Sequence, residues 1–179
     1  MKFIFVAGSQ ESGKDEIMDM ILGGYKKMLP AFRYIKFDSI MTKPPAMERD
    51  MSRIKAFCRN FRTKLEKALV QELKKGGNLI VNGFFTIKTE QGYVPLLPDD
   101  FFEAFRPDLL ILIEVLPSRP ETYMMQTEHM DWLQQEINRD YMSLYSAKSG
   151  AMLKVVNVRL GNIKGALKET ADVIRFAMK

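Results

Sequence analysis

The sequence predicts a three-layer α/β fold built on a five-stranded parallel sheet. Five short apolar, β-prone runs are spread along the chain, and segments with helical spacing separate them. Strands that alternate with helices return across the sheet, so they run parallel, with right-handed crossovers and helices on both faces. The first run passes straight into a glycine-rich loop and then a helix, the opening expected of such a sheet.

Each element follows from its residues. Residues 2–7 are β-prone and apolar after Lys2, as a strand covered on both faces must be. Residues 16–22 have helical spacing and run out at Gly23-Gly24. Residues 32–37 read as a second short strand. Residues 47–75 are rich in Lys, Arg, Glu, Leu and Ala and end at Gly76-Gly77, which reads as one long helix or two joined ones. Residues 78–82 form the third strand, and 83–98 read as a turn-rich segment. Residues 99–105 make a short helix that Pro107 closes. Residues 109–115 are the most hydrophobic run, so this strand is expected at the centre of the sheet. Residues 117–150 are mainly helical, 153–158 are the last strand, and 162–178 form an amphipathic helix that covers the sheet. No repeat, low-complexity stretch or Pro/Gly/Ser linker interrupts this order, so residues 1–179 read as a single domain. Ligands of such sheets sit beyond the carboxyl ends of the strands. That rim gathers residues 8–15, Asp38, 82–93 and 114–119.

Composition narrows the function class. Hydrophobic residues make up 46% and charged residues 27%, which excludes a disordered chain. No apolar run approaches the roughly 18–20 residues that span a bilayer, so no membrane partner is expected. The opening Met-Lys-Phe-Ile-Phe-Val-Ala-Gly resembles the start of a signal peptide, but a buried first strand explains it better. Cys58 is the sole cysteine, so no intrachain disulfide forms and a cytoplasmic location is expected; it reads as a half-buried apolar residue. The net charge is +5, yet Lys and Arg are spread rather than gathered on one face, which argues against nucleic acid as the partner.

The sharpest motif is Gly8-Ser9-Gln10-Glu11-Ser12-Gly13-Lys14-Asp15. Its spacing is that of a Walker A phosphate loop, set between a strand and a helix as the mechanism requires. The glycines let backbone amides turn inward onto phosphate oxygens, and the positive end of the helix adds to them. Lys14 would reach the β- and γ-phosphates of ATP. The usual magnesium-ligating Ser or Thr is replaced by Asp15. A carboxylate also ligates that hard cation, but it puts negative charge beside the phosphates. Either Asp15 binds the metal directly, or the site is altered and weak.

Residues Val81-Asn82-Gly83-Phe84-Phe85-Thr86-Ile87-Lys88-Thr89-Glu90-Gln91-Gly92-Tyr93-Val94-Pro95-Leu96-Leu97-Pro98, followed by Phe105-Arg106-Pro107-Asp108 and an apolar strand, resemble the archaeal type of adenylate kinase. The resemblance extends to Glu48-Arg49-Asp50-x-x-Arg53 and to Ile137-Asn138-Arg139. It implies a P-loop fold with a short lid at roughly 118–136, and transfer of the γ-phosphate of ATP to AMP or a related nucleoside monophosphate, with Mg2+. It implies that Arg53 holds the acceptor phosphate, where a bidentate guanidinium suits. It implies that Arg139 reaches the phosphates from the far side, and that Thr86, Lys88, Thr89, Gly92 and Tyr93 line the acceptor pocket. Association into homo-oligomers is implied as well.

Departures from the family pattern matter as much. Asn82 stands where the family has Asp, Phe84 where it has His, and Leu96 where it has Gly. With Asp15 as a new carboxylate, the metal site is read as rebuilt around Asp15 and Asn82. The expected lid holds no arginine between Glu121 and Gln135, and a lid without arginines stabilises the transition state less. An alternative therefore stands beside the kinase: a non-catalytic nucleotide-binding sensor or partner-binding protein. His129, beside Glu128 and Asp131, reads as a solvent-facing lid residue rather than a metal ligand. Tyr123 and Trp132 read as lid packing, and Tyr141 and Tyr145 as core or subunit contacts.

Overall fold

A computed structural model describes residues 2–25, 29–41, 50–98, 100–116, 132–159 and 163–179. Glu48, Arg49, Tyr123, Glu128, His129, Asp131 and most of the expected lid lie outside these residues. The strands are β1 (Phe3–Ala7), β2 (Phe32–Lys36), β3 (Asn78–Gly83), β4 (Thr86–Thr89), β5 (Gly92–Pro95), β6 (Leu109–Leu116) and β7 (Met152–Arg159). The helices are α1 (Lys14–Met20), α2 (Phe37–Ile40), α3 (Met51–Lys74), α4 (Phe101–Ala104), α5 (Trp132–Ser149) and α6 (Lys164–Ala177).

Five strands make one sheet in the order β2-β3-β1-β6-β7, and every pairing is parallel, as expected. The more hydrophobic β6 lies inside the sheet, as expected, beside the middle strand β1. Hydrophobicity marks a strand covered on both faces, and β3, β1 and β6 all are. Side chains alternate along β1 and feed two cores. Phe3, Phe5 and Ala7 face a core with α3, α4 and α5, while Ile4 and Val6 face one with α1 and α6. The first core is aromatic: Phe5 packs on Phe37, Phe85 and Phe102, and Tyr145 on Phe85 and Phe102. Tyr141 stacks on Phe85, so both tyrosines serve the core.

Three local readings change and one is decided between its alternatives. The segment 83–98 holds an antiparallel hairpin of β4 and β5, with Thr89 opposite Gly92. Thr89 Oγ1 donates to the Gly92 carbonyl and accepts from the Gln91 amide, which ties a turn that carries no Asn-Gly or Asp-Gly signal. Residues 51–74 are one helix, capped by Asp50, whose carboxylate accepts from the Ser52 amide at 2.8 Å. Past α1 the chain does not stop at Gly23-Gly24 but widens into a π-turn over Ile21–Tyr25. Cys58 is more buried than expected, inside the aromatic core. Among the described residues no helix is long and apolar enough to cross a membrane.

Candidate active site

Parallel pairing brings Ala7, Lys36, Gly83 and Leu116 to the carboxyl-end rim of the sheet. The glycine-rich loop leaves β1 there. Gln10–Ser12 form a 3-10 turn, and Gly13 takes a φ of 73°, which reverses the chain into α1. A Cβ on Gly8 would lie 2.5 Å from the Ile113 carbonyl oxygen and 2.7 Å from Ser12 Oγ. The loop therefore packs its backbone against β6 at a position only glycine fits. Ser9 and Ser12 are buried beneath it; Ser12 Oγ donates to the Ser9 carbonyl at 2.7 Å. Glu11 points to solvent.

Lys14 follows the loop and is only 4% exposed. Its ammonium donates to Asp15 Oδ1 at 2.7 Å and to Asn82 Oδ1 at 2.8 Å. Burial pulls the Lys14 pKa below its ordinary value, against the opposing charge of Asp15. Asn82 lies at the end of β3 and is fully buried; its amide donates to Asp15 Oδ1 and to Tyr34 Oη, each at 2.8 Å. Lys36 closes the cluster from β2, with Nζ 3.0 Å from Asp15 Oδ2 and 3.5 Å from Asp38 Oδ2. Burial works to raise the Asp15 pKa, but the Lys14 charge and the bonds from Lys14, Lys36 and Asn82 outweigh it and hold the carboxyl at about 2. Burial pushes the Tyr34 phenol up to about 12, so it stays protonated.

The predicted residues thus fall into three groups. Lys14, Asp15 and Asn82 come together, and Lys36 and Tyr34 join them without having been foreseen. The β2 run carries no motif that singles those two out; only the register Lys36 opposite Asn82 does so. Thr86, Lys88, Thr89, Gly92 and Tyr93 lie along the hairpin. Thr86 is buried and its carbonyl accepts from Gln134 on α5, while Lys88 lies over the Tyr93 ring at 6.0 Å. Thr89 and Gly92 carry the hairpin turn itself. The two arginines each meet a carboxylate. Arg53, in the first turn of α3 and 74% exposed, has Nε 3.7 Å from Asp50 Oδ2. Arg139 on α5 forms a bidentate pair with Glu114 of β6, at 2.8 and 2.7 Å, and Glu114 is 1% exposed. Sequence reasoning missed Glu114 as a partner because it sits inside an apolar run.

A divalent ion has a donor set to meet here. Asp15 supplies a carboxylate and Asn82 an amide oxygen, and both oxygens accept from the Lys14 ammonium. A Mg2+ ion that keeps its waters and a nucleotide's phosphates needs one or two such carboxylate oxygens. The residues fit it. Among the described residues no group of three or more His, Cys, Asp or Glu forms an all-protein cage.

The family model described as AAA domain matches residues 12–143. The adenylate kinase of Thermoplasma volcanium is 26% identical, over 95% of this chain and 98% of its own. That of Methanopyrus kandleri is 28% identical, over 77% of this chain and 72% of its own. Among solved structures, thymidylate kinase from Ehrlichia chaffeensis superposes with a TM-score of 0.55 at 14% identity, covering 97% of this chain and 98% of that one. At that identity the likeness concerns the fold alone. The chain belongs to the AAA domain family of P-loop folds, and along most of its length it is related to archaeal adenylate kinases.

Proposed function

We propose that this chain is an ATP-dependent nucleoside monophosphate kinase that moves the γ-phosphate of ATP to AMP or a related monophosphate. The observation that carries the reading is Lys14: a buried ammonium, at the end of a loop that only glycine fits, held by side chains that can release it. Phosphoryl transfer is chiefly positioning and charge neutralisation, so such a cation is the central requirement.

In this reading the phosphates of ATP lie on the loop amides and the positive end of α1. Lys14 turns from Asp15 and Asn82 onto the β- and γ-phosphates, which frees Asn82 Oδ1 and leaves Asp15 Oδ1 with the Asn82 amide alone. Those two oxygens are the ones to hold Mg2+, which when bound supplies charge neutralisation on the phosphates. Arg53 reaches the acceptor phosphate from α3. Thr86, Lys88, Thr89, Gly92 and Tyr93 form the wall against which the acceptor packs. Arg139 leaves Glu114 to meet developing charge.

One observation favours a second reading, a nucleotide-binding protein without turnover. Arg139 is tied to Glu114 in bidentate geometry, and that pair opposes its move to phosphate. A coupled assay across AMP, GMP, CMP and UMP separates the two. The kinase forms ADP with at least one acceptor and loses that activity in Lys14→Met; ATP binding with no transfer to any acceptor leaves the second reading.

A further inference from the structure

We infer that Lys36 is a second phosphate-binding cation of this site, and that the Asp15 carboxylate occupies the place of a phosphate group until nucleotide arrives. The inference rests on the kinase reading of the loop and adds a residue that neither the loop motif nor the acceptor motif contains.

The geometry is that of one anion shared by two ammonium groups. Lys14 Nζ lies 2.7 Å from Asp15 Oδ1, and Lys36 Nζ lies 3.0 Å from Asp15 Oδ2. Asn82 donates to the same carboxylate at 2.8 Å. Two cations and an amide donor around two anionic oxygens are what a phosphate group, with its own spread of anionic oxygens, also requires. A phosphate that takes Lys14 removes Asp15 from one cation, and the carboxylate no longer bridges the pair.

Lys36 is placed for this exchange. It is the last residue of β2, opposite Asn82 in register, on the carboxyl-end rim. Its side chain is 28% exposed, so it is reachable from solvent while still anchored. Asp38, 3.5 Å away, keeps the ammonium at the rim after Asp15 lets go. The order β2-β3-β1 sets Lys36 on the side of the loop where α2 packs against α3, the helix that carries Arg53. The charge Lys36 would meet at the rim is the terminal phosphate of ATP. A lysine suits it, because an ammonium on a flexible stem follows a moving charge without a fixed plane.

The test removes the competing explanation that Lys36 merely holds Asp15. Calorimetric titrations with ATP, ADP and adenosine compare Asp15→Asn with the double variant Asp15→Asn/Lys36→Met. Loss of a charge-assisted contact to phosphate weakens ATP by about tenfold or more and leaves adenosine unchanged. Lys36→Arg in the same background retains most of the ATP affinity. Equal ATP affinity in Asp15→Asn and in the double variant overturns the inference. If the double variant melts early, Lys36→Gln provides the same comparison with a polar stem retained. The kinase reading fails separately, through ATP binding by the wild-type chain with no phosphoryl transfer to any of the four monophosphates.

Discussion

Removing the Arg139 guanidinium strands a buried carboxylate. Glu114 is 1% exposed, and Arg139 is its bidentate partner, with contacts of 2.8 and 2.7 Å. Breaking a buried pair by deleting one member costs about 3–5 kcal/mol, because the remaining charge keeps its desolvation penalty. Arg139 is 54% exposed, so water already screens the pair, and the cost falls to about 2 kcal/mol. For a chain of this size that corresponds to a fall in Tm of about 4–8 °C. Thermal unfolding of wild type, Arg139→Met and Arg139→Met/Glu114→Gln measures it. The double variant should regain most of the loss, since a neutral amide replaces the stranded charge. It should also remain inactive, since the guanidinium meant for phosphate is gone. An Arg139→Met protein that melts within about 1 °C of wild type refutes the argument. So does a double variant that melts no higher than the single one.

Three further outcomes follow from the site. The folded-state pKa of Asp15, about 2, lies below its ordinary 3.8, so its ion pairs stabilise the fold above pH 3.8 and lose that effect as pH falls toward 2. With screening at this half-exposed group the contribution is about 1 kcal/mol, and Asp15→Asn should flatten the acid limb of denaturant melts by that amount. Gly8→Ala forces a Cβ to within 2.5 Å of the Ile113 oxygen, and the loop shift should weaken ATP binding by about tenfold or more in titration. Asn82→Asp replaces an amide that donates to Asp15 at 2.8 Å with a second carboxylate. It should lower thermal stability by about 1–2 kcal/mol and bring no gain in turnover; a large gain in the coupled assay would show that the site is degraded rather than rebuilt.

How far the sequence foretold this follows from which forces are local. Apolar runs and helical spacing are local signals, and all five sheet strands were legible within a residue or two of their bounds. The phosphate loop was legible because its glycines answer to backbone geometry at Gly8 and Gly13. The β4–β5 hairpin was not. Its strands are four residues each, and its turn at Glu90-Gln91 is tied by the Thr89 side chain rather than by a turn-forming pair. Lys36 and Glu114 escaped for a different reason. One is an ordinary lysine and the other a lone acid in an apolar run, and only strand register and helix packing give each its partner. Propensity carries no information about contacts between residues so far apart in the chain.

The most direct test of the central claim is the conversion of ATP and AMP to ADP, followed by separation of the nucleotides, in wild type and Lys14→Met. A kinase built on Lys14 forms ADP that needs both nucleotides and is absent from the variant. Tight ATP binding with no ADP from AMP, GMP, CMP or UMP would contradict the claim.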